Sequence, residues 1–165
     1  MKLDVIRSYL KINLSPERYT HCIGVEKTAR KLARIFNISE YYCSMAGLAH
    51  DICREMPHSQ ILSYTGKIHI NPVLLHGEAG ARKLKEEFFI EDLPILNAVR
   101  YHTSGSPYLD KVGKIIYAAD LMEEGRTHLS TAERERLFLL DLDDMVLDIA
   151  EQNRDFLISR NIQIE

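Results

Sequence analysis

The chain has 165 residues, of which 45% are hydrophobic and 27% are charged, and this composition is typical of a globular domain. The formal net charge of −3 argues against a nucleic-acid-binding protein, because such proteins usually carry a basic face that neutralises phosphates. No apolar run approaches the ~18 to 20 residues that cross a bilayer, so we expect a soluble protein without a membrane partner.

The beginning of the chain and its cysteines predict a cytoplasmic location. The segment MKLDVIRSYLKINL mixes charged and apolar residues, which indicates an amphipathic helix and not a signal peptide. The three cysteines, Cys22, Cys43 and Cys53, are odd in number, lie in helical patterns and form no CxxC motif. We therefore expect buried, reduced thiols in a cytoplasmic protein.

Apolar residues repeat at the helical period along nearly the whole chain, and no segment shows a convincing strand alternation. Ser15 and Pro16 favour a helix start, Gly66 favours a helix end, and Ser130 with Glu133 forms a capping-box pattern. The sequence predicts an all-α single domain over residues 1–165, a bundle of about eight or nine helices. The predicted helices cover about residues 3–13, 16–37, a third that follows Ser39 and carries GLAHDICRE (47–55), 57–65, 76–89, 92–103, 109–123, one capped by Ser130, and 143–160.

Titratable residues occupy positions on the apolar faces of several predicted helices. His21 lies one turn before Val25 on the apolar stripe of its helix, and Asp120 lies one turn after Ile116 on another. Asp51 follows a histidine where the apolar side of the third helix ends. The sequence thus directs six side chains from five helices toward one interior: His21, His50, Asp51, His76, His102 and Asp120.

Two interpretations of these inward side chains are open. A single histidine on an apolar face is often a hydrogen-bonded core residue. Burying an ionised carboxylate without a partner costs on the order of several kcal/mol. Neither Asp51 nor Asp120 has an obvious buried cation on a neighbouring stripe. One or two shared divalent ions explain the whole set better. None of the six residues is a cysteine, which disfavours a closed structural zinc site. Neighbouring residues project about 100° apart on a helix, so Asp51 could lie between two metals.

The order H…HD…D in this set resembles the pattern of the HD-domain metal-dependent phosphohydrolases. The closer resemblance is to the bacterial YqeK-like branch of that superfamily, and it covers about residues 18–126. Five motifs carry it in order: RYTH (18–21), AGLAHDICRE (46–55), LLHGEAGA (74–81), ILNAVRYHTSG (95–105) and KIIYAADLMEEGR (114–126).

The resemblance implies a helical HD-type domain with two divalent ions, often iron, that cleaves diadenosine tetraphosphate symmetrically into two ADP. The expected nucleophile is a metal-bound hydroxide. Nitrogen and oxygen donors also accommodate manganese, cobalt, nickel or zinc. By this resemblance His21, His50, Asp51 and Asp120 would hold one ion, and Asp51, His76 and His102 would hold the other, with Asp51 as the bridging residue.

Phosphate contacts are the second expectation at the site. Arg54 and Arg126 are expected to act in catalysis beside Asp51 and to bind phosphate, because guanidinium groups suit phosphate oxygens. Arg18 is a further candidate, and surface ion pairs are the alternative for all three arginines. Hydroxyl and backbone N–H groups after His102 could also cradle a phosphate, although a plain turn explains these residues nearly as well. These are Thr103, Ser104 and Gly105.

Other functions remain open from the sequence. The same metals would serve an HD phosphohydrolase for another nucleotide, such as a nucleoside mono- or diphosphate. The pair of ions could also belong to a non-catalytic nucleotide sensor. A nucleotide is the expected partner in each case, and a homodimer remains open.

Overall fold

The structure is a computed structural model that describes residues 2–66, 72–127 and 129–160. All regular structure in these residues is helical, which confirms the predicted all-α fold. None of the described helices combines the length and the apolar character needed to span a membrane. In chain order the elements are α1 (Lys2–Asn13), α2 (Pro16–Ile35), α3 (Glu40–Ala49), α4 (His58–Thr65), a 3₁₀ turn (Pro72–Leu75), α5 (His76–Phe88), α6 (Leu93–Tyr101), α7 (Lys111–Met122), α8 (Thr131–Leu137) and α9 (Leu142–Ser159).

The helices begin at the capping residues that the sequence predicts. The Ser15 hydroxyl accepts a hydrogen bond from the backbone N–H of Arg18 at 3.2 Å, with Pro16 as the first helical residue. In α8, Ser130 and Glu133 satisfy each other's backbone N–H groups, which confirms the predicted capping box. These local bonds fix where each helix starts.

The third helix is shorter than predicted, and its end lies at the site. The helix α3 stops at Ala49, so the prediction that one helix carries all of GLAHDICRE is wrong. His50 is the C-cap residue, and tighter i to i+3 bonds follow: Ile52 N–H to Ala49 O at 3.0 Å and Arg54 N–H to Asp51 O at 2.9 Å. Asp51 is therefore held by this tightened turn and not by a regular α-helix.

The core lies between four helices that pack on one another. The helices α2, α3, α6 and α7 make the central layer, with α2 against both α3 and α7, and α6 against both α3 and α7. The helix α5 packs on α6, α4 packs on α5, and α9 covers α7. The six titratable residues therefore surround one interior. They lie on, or immediately after, the helices α2, α3, α5, α6 and α7.

Truncating the core face of α2 should destabilise the fold. Leu32 is fully buried, and its replacement by Ala should lower the free energy of unfolding by about 2–5 kcal/mol, because a cavity replaces buried apolar contacts. Urea unfolding followed by circular dichroism measures this change. The matched variant is Ile35→Ala in the same helix, where the side chain is 47% exposed, and its effect should be much smaller. Equal effects of the two changes would contradict the assigned core face.

Candidate metal centre

Four side chains meet to form what we call the first donor group. The Nε2 atom of His21 lies 3.1 Å from Asp120 Oδ1 and 3.2 Å from the Nε2 atom of His50. The Oδ2 atom of Asp51 completes the group, at 3.3 Å from His50 Nε2 and 3.9 Å from His21 Nε2. Helices α2 and α7 and the turn after α3 therefore bring two imidazoles and two carboxylates within reach of one ion.

The other oxygen of Asp51 belongs to a second donor group, which also contains His76 and His102. Asp51 Oδ1 lies 3.0 Å from His76 Nε2 and 3.4 Å from His102 Nε2, and the two ring nitrogens are 2.9 Å apart. His76 is the first residue of α5, and His102 is the C-cap of α6. Each oxygen of the buried Asp51 carboxylate thus faces a different pair of histidines, which is the geometry of a bridging ligand.

The outer nitrogens of the histidines test whether this set suits a metal ion. The Nδ1 atoms of His50 and His102 donate to the backbone oxygens of Gly47 and Val99 at 2.8 and 2.7 Å, and the Nδ1 atom of His76 donates to that of Val73. A carbonyl can only accept, so in a neutral ring the Nε2 atom must carry the lone pair. These lone pairs face one another and the carboxylates, and a divalent cation suits such a set of nitrogen and oxygen donors.

The protein groups around the two carboxylates also favour their ionised forms. Burial raises the pKa of Asp51. When the histidine Nε2 atoms are protonated, the charge of His50 and the hydrogen bonds from His102, His50 and His76 outweigh burial and hold this pKa well below its usual range, and a bound cation would take the place of those protons. Burial likewise opposes ionisation of Asp120, whereas the hydrogen bond from His21 and nearby positive charges lower its pKa. Both carboxylates are therefore available as anionic ligands.

A comparison with protein families agrees with this geometry. The model of the HD domain matches residues 18–125, which includes every member of both donor groups. The chain belongs to the HD domain family.

Similar proteins cover nearly the whole of this HD domain chain. A relative from Bacillus subtilis (strain 168), named symmetrical bis(5'-nucleosyl)-tetraphosphatase, is 31% identical over 92% of this chain and 86% of its own length. A relative of the same name from Staphylococcus aureus (strain NCTC 8325 / PS 47) is 28% identical over 99% of this chain and 89% of its own. A crystal structure of a "predicted HD superfamily hydrolase involved in NAD metabolism" from Clostridium acetobutylicum superposes with a TM-score of 0.90 at 33% identity, over 98% of this chain and 90% of that one.

Two of the predicted phosphate arginines lie at the rim of the HD centre. Arg18 Nη1 is 2.8 Å from Asp51 Oδ2, and Arg126 donates to the side-chain Oδ1 and the backbone oxygen of Asp120, at 2.5 and 2.9 Å. Each carboxylate therefore has a partly buried cationic partner, so the expectation that neither has one nearby is wrong. Within the described part of the chain, the Arg18 Nε atom is buried and has no hydrogen-bond partner. Both arginines line an open cleft of about 260 Å³ beside the first donor group, and its other walls are Ser15, Glu17, His21, Glu55, Glu123 and Gly125.

The remaining predicted residues lie at different distances from the centre. The Thr103 hydroxyl lies 3.0 Å from His102 Nε2 and 3.3 Å from His76 Nε2, so it borders the second donor group. Ser104 is exposed, and the Gly105 N–H already donates to Tyr101 O at 2.8 Å, which closes the turn after α6. Arg54 is half-buried one turn after Asp51, and it is not among the cleft residues that the structure describes. Phosphate binding by Arg54, Ser104 and Gly105 stays a prediction.

Glu123 is a site residue that the sequence reasoning missed. Its side chain is buried, and Oε1 accepts a hydrogen bond from His21 Nδ1 at 3.1 Å. Its Oε2 accepts from the backbone N–H of Gly125 at 2.7 Å. Helical spacing gives only a weak signal here, because Glu123 and Glu124 follow Asp120 by three and four residues and both spacings lie on the same side of a helix.

Proposed function

We propose that this chain is a metal-dependent hydrolase that cleaves diadenosine tetraphosphate symmetrically into two ADP. The observation that carries the proposal is that the two carboxylate oxygens of Asp51 face different donor groups. The relatives named symmetrical bis(5'-nucleosyl)-tetraphosphatase support the choice of substrate. We also propose that the whole chain forms one catalytic domain.

Two divalent ions in the donor groups would supply positive charge that makes water more acidic and stabilises the phosphoryl oxygens. We propose iron as the native metal, although manganese, cobalt, nickel or zinc also fits nitrogen and oxygen donors. His21, His50 and Asp120 would hold one ion, His76 and His102 the other, and Asp51 both. The backbone carbonyl acceptors behind His50, His76 and His102 would keep the Nε2 atoms directed at the ions.

The arginines give this chain a way to bind and orient the polyphosphate. Arg18 pairs with Asp51, Arg126 pairs with Asp120, and both arginines line the open cleft. Guanidinium groups bind phosphate oxygens through paired hydrogen bonds, which fix orientation as well as charge. We propose that Arg18, Arg126 and Arg54 bind the chain of phosphates, and that Thr103 contributes a hydroxyl near the second ion.

Product analysis tests this function directly. The anaerobically purified protein is incubated with diadenosine tetraphosphate and Fe²⁺, Mn²⁺ or Co²⁺, and the products are separated by chromatography. Two equivalents of ADP support the proposal. In H₂¹⁸O, one ADP of each pair should carry one ¹⁸O in its terminal phosphate, because water supplies the oxygen of the new P–O bond. Release of AMP with ATP, or of inorganic phosphate, would contradict symmetric cleavage, and tight binding without turnover would favour a sensor.

Cytoplasmic location is part of the proposal. The structure describes Cys22, Cys43 and Cys53 as free and buried, and burial raises the pKa of the Cys43 and Cys53 thiols to about 12. Buried protonated thiols suit a reducing compartment, where disulfides are rare. The absence of a nucleic-acid or membrane partner stays a prediction from the sequence, and a homodimer stays open.

A further inference from the structure

The Glu123 carboxylate lies in a space that two glycines leave open. A Cβ atom at Gly24 would lie 2.5 Å from Glu123 Oε2, and a Cβ atom at Gly125 would lie 2.9 Å from Oε1 and 3.0 Å from Oε2. Gly24 is on α2 and Gly125 follows α7, so both neighbouring segments lack a side chain where the carboxylate lies. A charged group that fits so closely, with both oxygens hydrogen-bonded, has a defined position.

The position of Glu123 relative to His21 is that of an outer partner of a metal ligand. Its Oε1 atom accepts from His21 Nδ1 at 3.1 Å, while the other ring nitrogen of His21 faces the first donor group. The other three histidines use backbone carbonyls for this role, and His21 is the one described ligand histidine whose outer nitrogen meets a carboxylate. A carboxylate acceptor fixes the Nδ1–H tautomer and the ring orientation and makes the imidazole a stronger ligand.

The backbone around Glu123 has its own support, so the side chain is not needed to hold the chain there. Arg134 of α8 donates to Met122 O at 2.9 Å and to Glu123 O at 3.3 Å, and the Arg126 N–H donates to Glu123 O at 3.0 Å. Removing the carboxylate should therefore change the interaction with His21 and leave the end of α7 in place.

We propose that Glu123 is a positioning residue that orients His21 to bind the ion of the first donor group (the first ion). This inference rests on the proposed metal-dependent function. Since none of the hydrogen bonds described for Glu123 reaches a member of the second donor group, its loss should weaken the ion of the first group and leave the ion of the second group (the second ion) unchanged. An effect restricted to one ion separates a positioning role from a general effect on the fold.

The test compares Glu123→Gln with wild type by calorimetric titration of the metal-free protein with Mn²⁺. Glutamine keeps the size of the side chain but cannot accept from both His21 Nδ1–H and the Gly125 N–H. The first ion should bind about 10- to 100-fold more weakly, the usual cost of losing an outer partner, and the second should be unchanged. To assign the ion, the change is repeated in a His102→Ala background, where the remaining ion should weaken by the same factor.

A second variant reaches the same interaction while Glu123 remains in place. Gly24→Ala should push the flexible end of the Glu123 side chain away from its site, and it should weaken the first ion in the same way. Glu124→Ala is the matched control, because this neighbouring carboxylate is exposed and pairs with Lys27 at 3.0 Å. Thermal melting of each metal-free variant checks the fold, and Gly24→Ala decides the question if Glu123→Gln does not fold.

The outcomes distinguish this inference from the proposed function. If wild type binds two ions and both variants retain the first ion at full affinity, the role of Glu123 is wrong and the metal centre stands. Equal weakening of both ions would also overturn the positioning role. If wild type binds no ion, the proposed function fails and the inference fails with it.

Discussion

Replacing Asp51 with Asn should weaken the binding of both ions and lower the rate of nucleotide hydrolysis by more than the roughly 100-fold that loss of an outer metal partner costs. The reason is that each oxygen of Asp51 serves a different donor group, at 3.3 Å from His50 Nε2 and 3.0 Å from His76 Nε2. An amide has one oxygen and no charge, so it can serve at most one of the two groups. Metal content by atomic spectrometry and the rate of ADP release measure the two effects.

Two further variants make this prediction specific to a bridging ligand. His102→Ala removes a residue that belongs only to the second donor group, so it should lower the metal content by one equivalent. Asp51→Asn should weaken the binding of both equivalents. Asp143→Asn is the control for loss of a negative charge, because Asp143 is exposed and pairs with Lys114. Full metal content with nearly normal turnover in Asp51→Asn would contradict the bridging role and would leave Asp51 as a core residue.

The six inward residues were predictable from the sequence because helical periodicity is a strong signal over long elements. His21 and Asp120 lie inside α2 and α7, and each continues an apolar stripe whose direction is fixed by several buried neighbours. His102 lies at the end of α6, where one turn of the same reasoning still holds. The structure brings these side chains together as predicted, although their role as ligands stays a prediction.

The turn at His50 and the different roles of Glu123 and Glu124 could not be predicted with the same reasoning. No Gly or Pro follows Ala49 directly, so nothing local signals the end of α3, and the i to i+3 bonds there depend on tertiary packing. Glu123 and Glu124 are identical in type and adjacent, yet the first is buried against His21 and the second is exposed on Lys27. Their difference depends on the approach of α2 to α7 at Gly24, which a single sequence does not specify.

Replacing Gly77 with Ala should separate α5 from α6 and weaken the second ion. A Cβ atom at this position would lie 2.6 Å from Arg100 O and 2.9 Å from Val99 O, and both are backbone atoms that cannot move aside alone. Val99 O is also the acceptor that orients His102, and Gly77 directly follows His76. Overpacking of this kind costs about 1–3 kcal/mol, and the displaced helix would spread the two histidine nitrogens from their 2.9 Å separation.

Gly80→Ala is the matched control because it lies one turn further along the same face of α5. There a Cβ atom would lie 3.2 Å from side-chain methyl groups of Ile52 and Val99, which small rotations can relieve, and at an ordinary contact distance of 3.9 Å from His50 O. Alanine also favours the helix over glycine by up to about 1 kcal/mol, which offsets the crowding. Unfolding in urea and titration with Mn²⁺ should therefore show a loss of stability and of the second ion for Gly77→Ala alone. Equal behaviour of the two variants would mean that the close approach of α5 and α6 does not position His76 and His102.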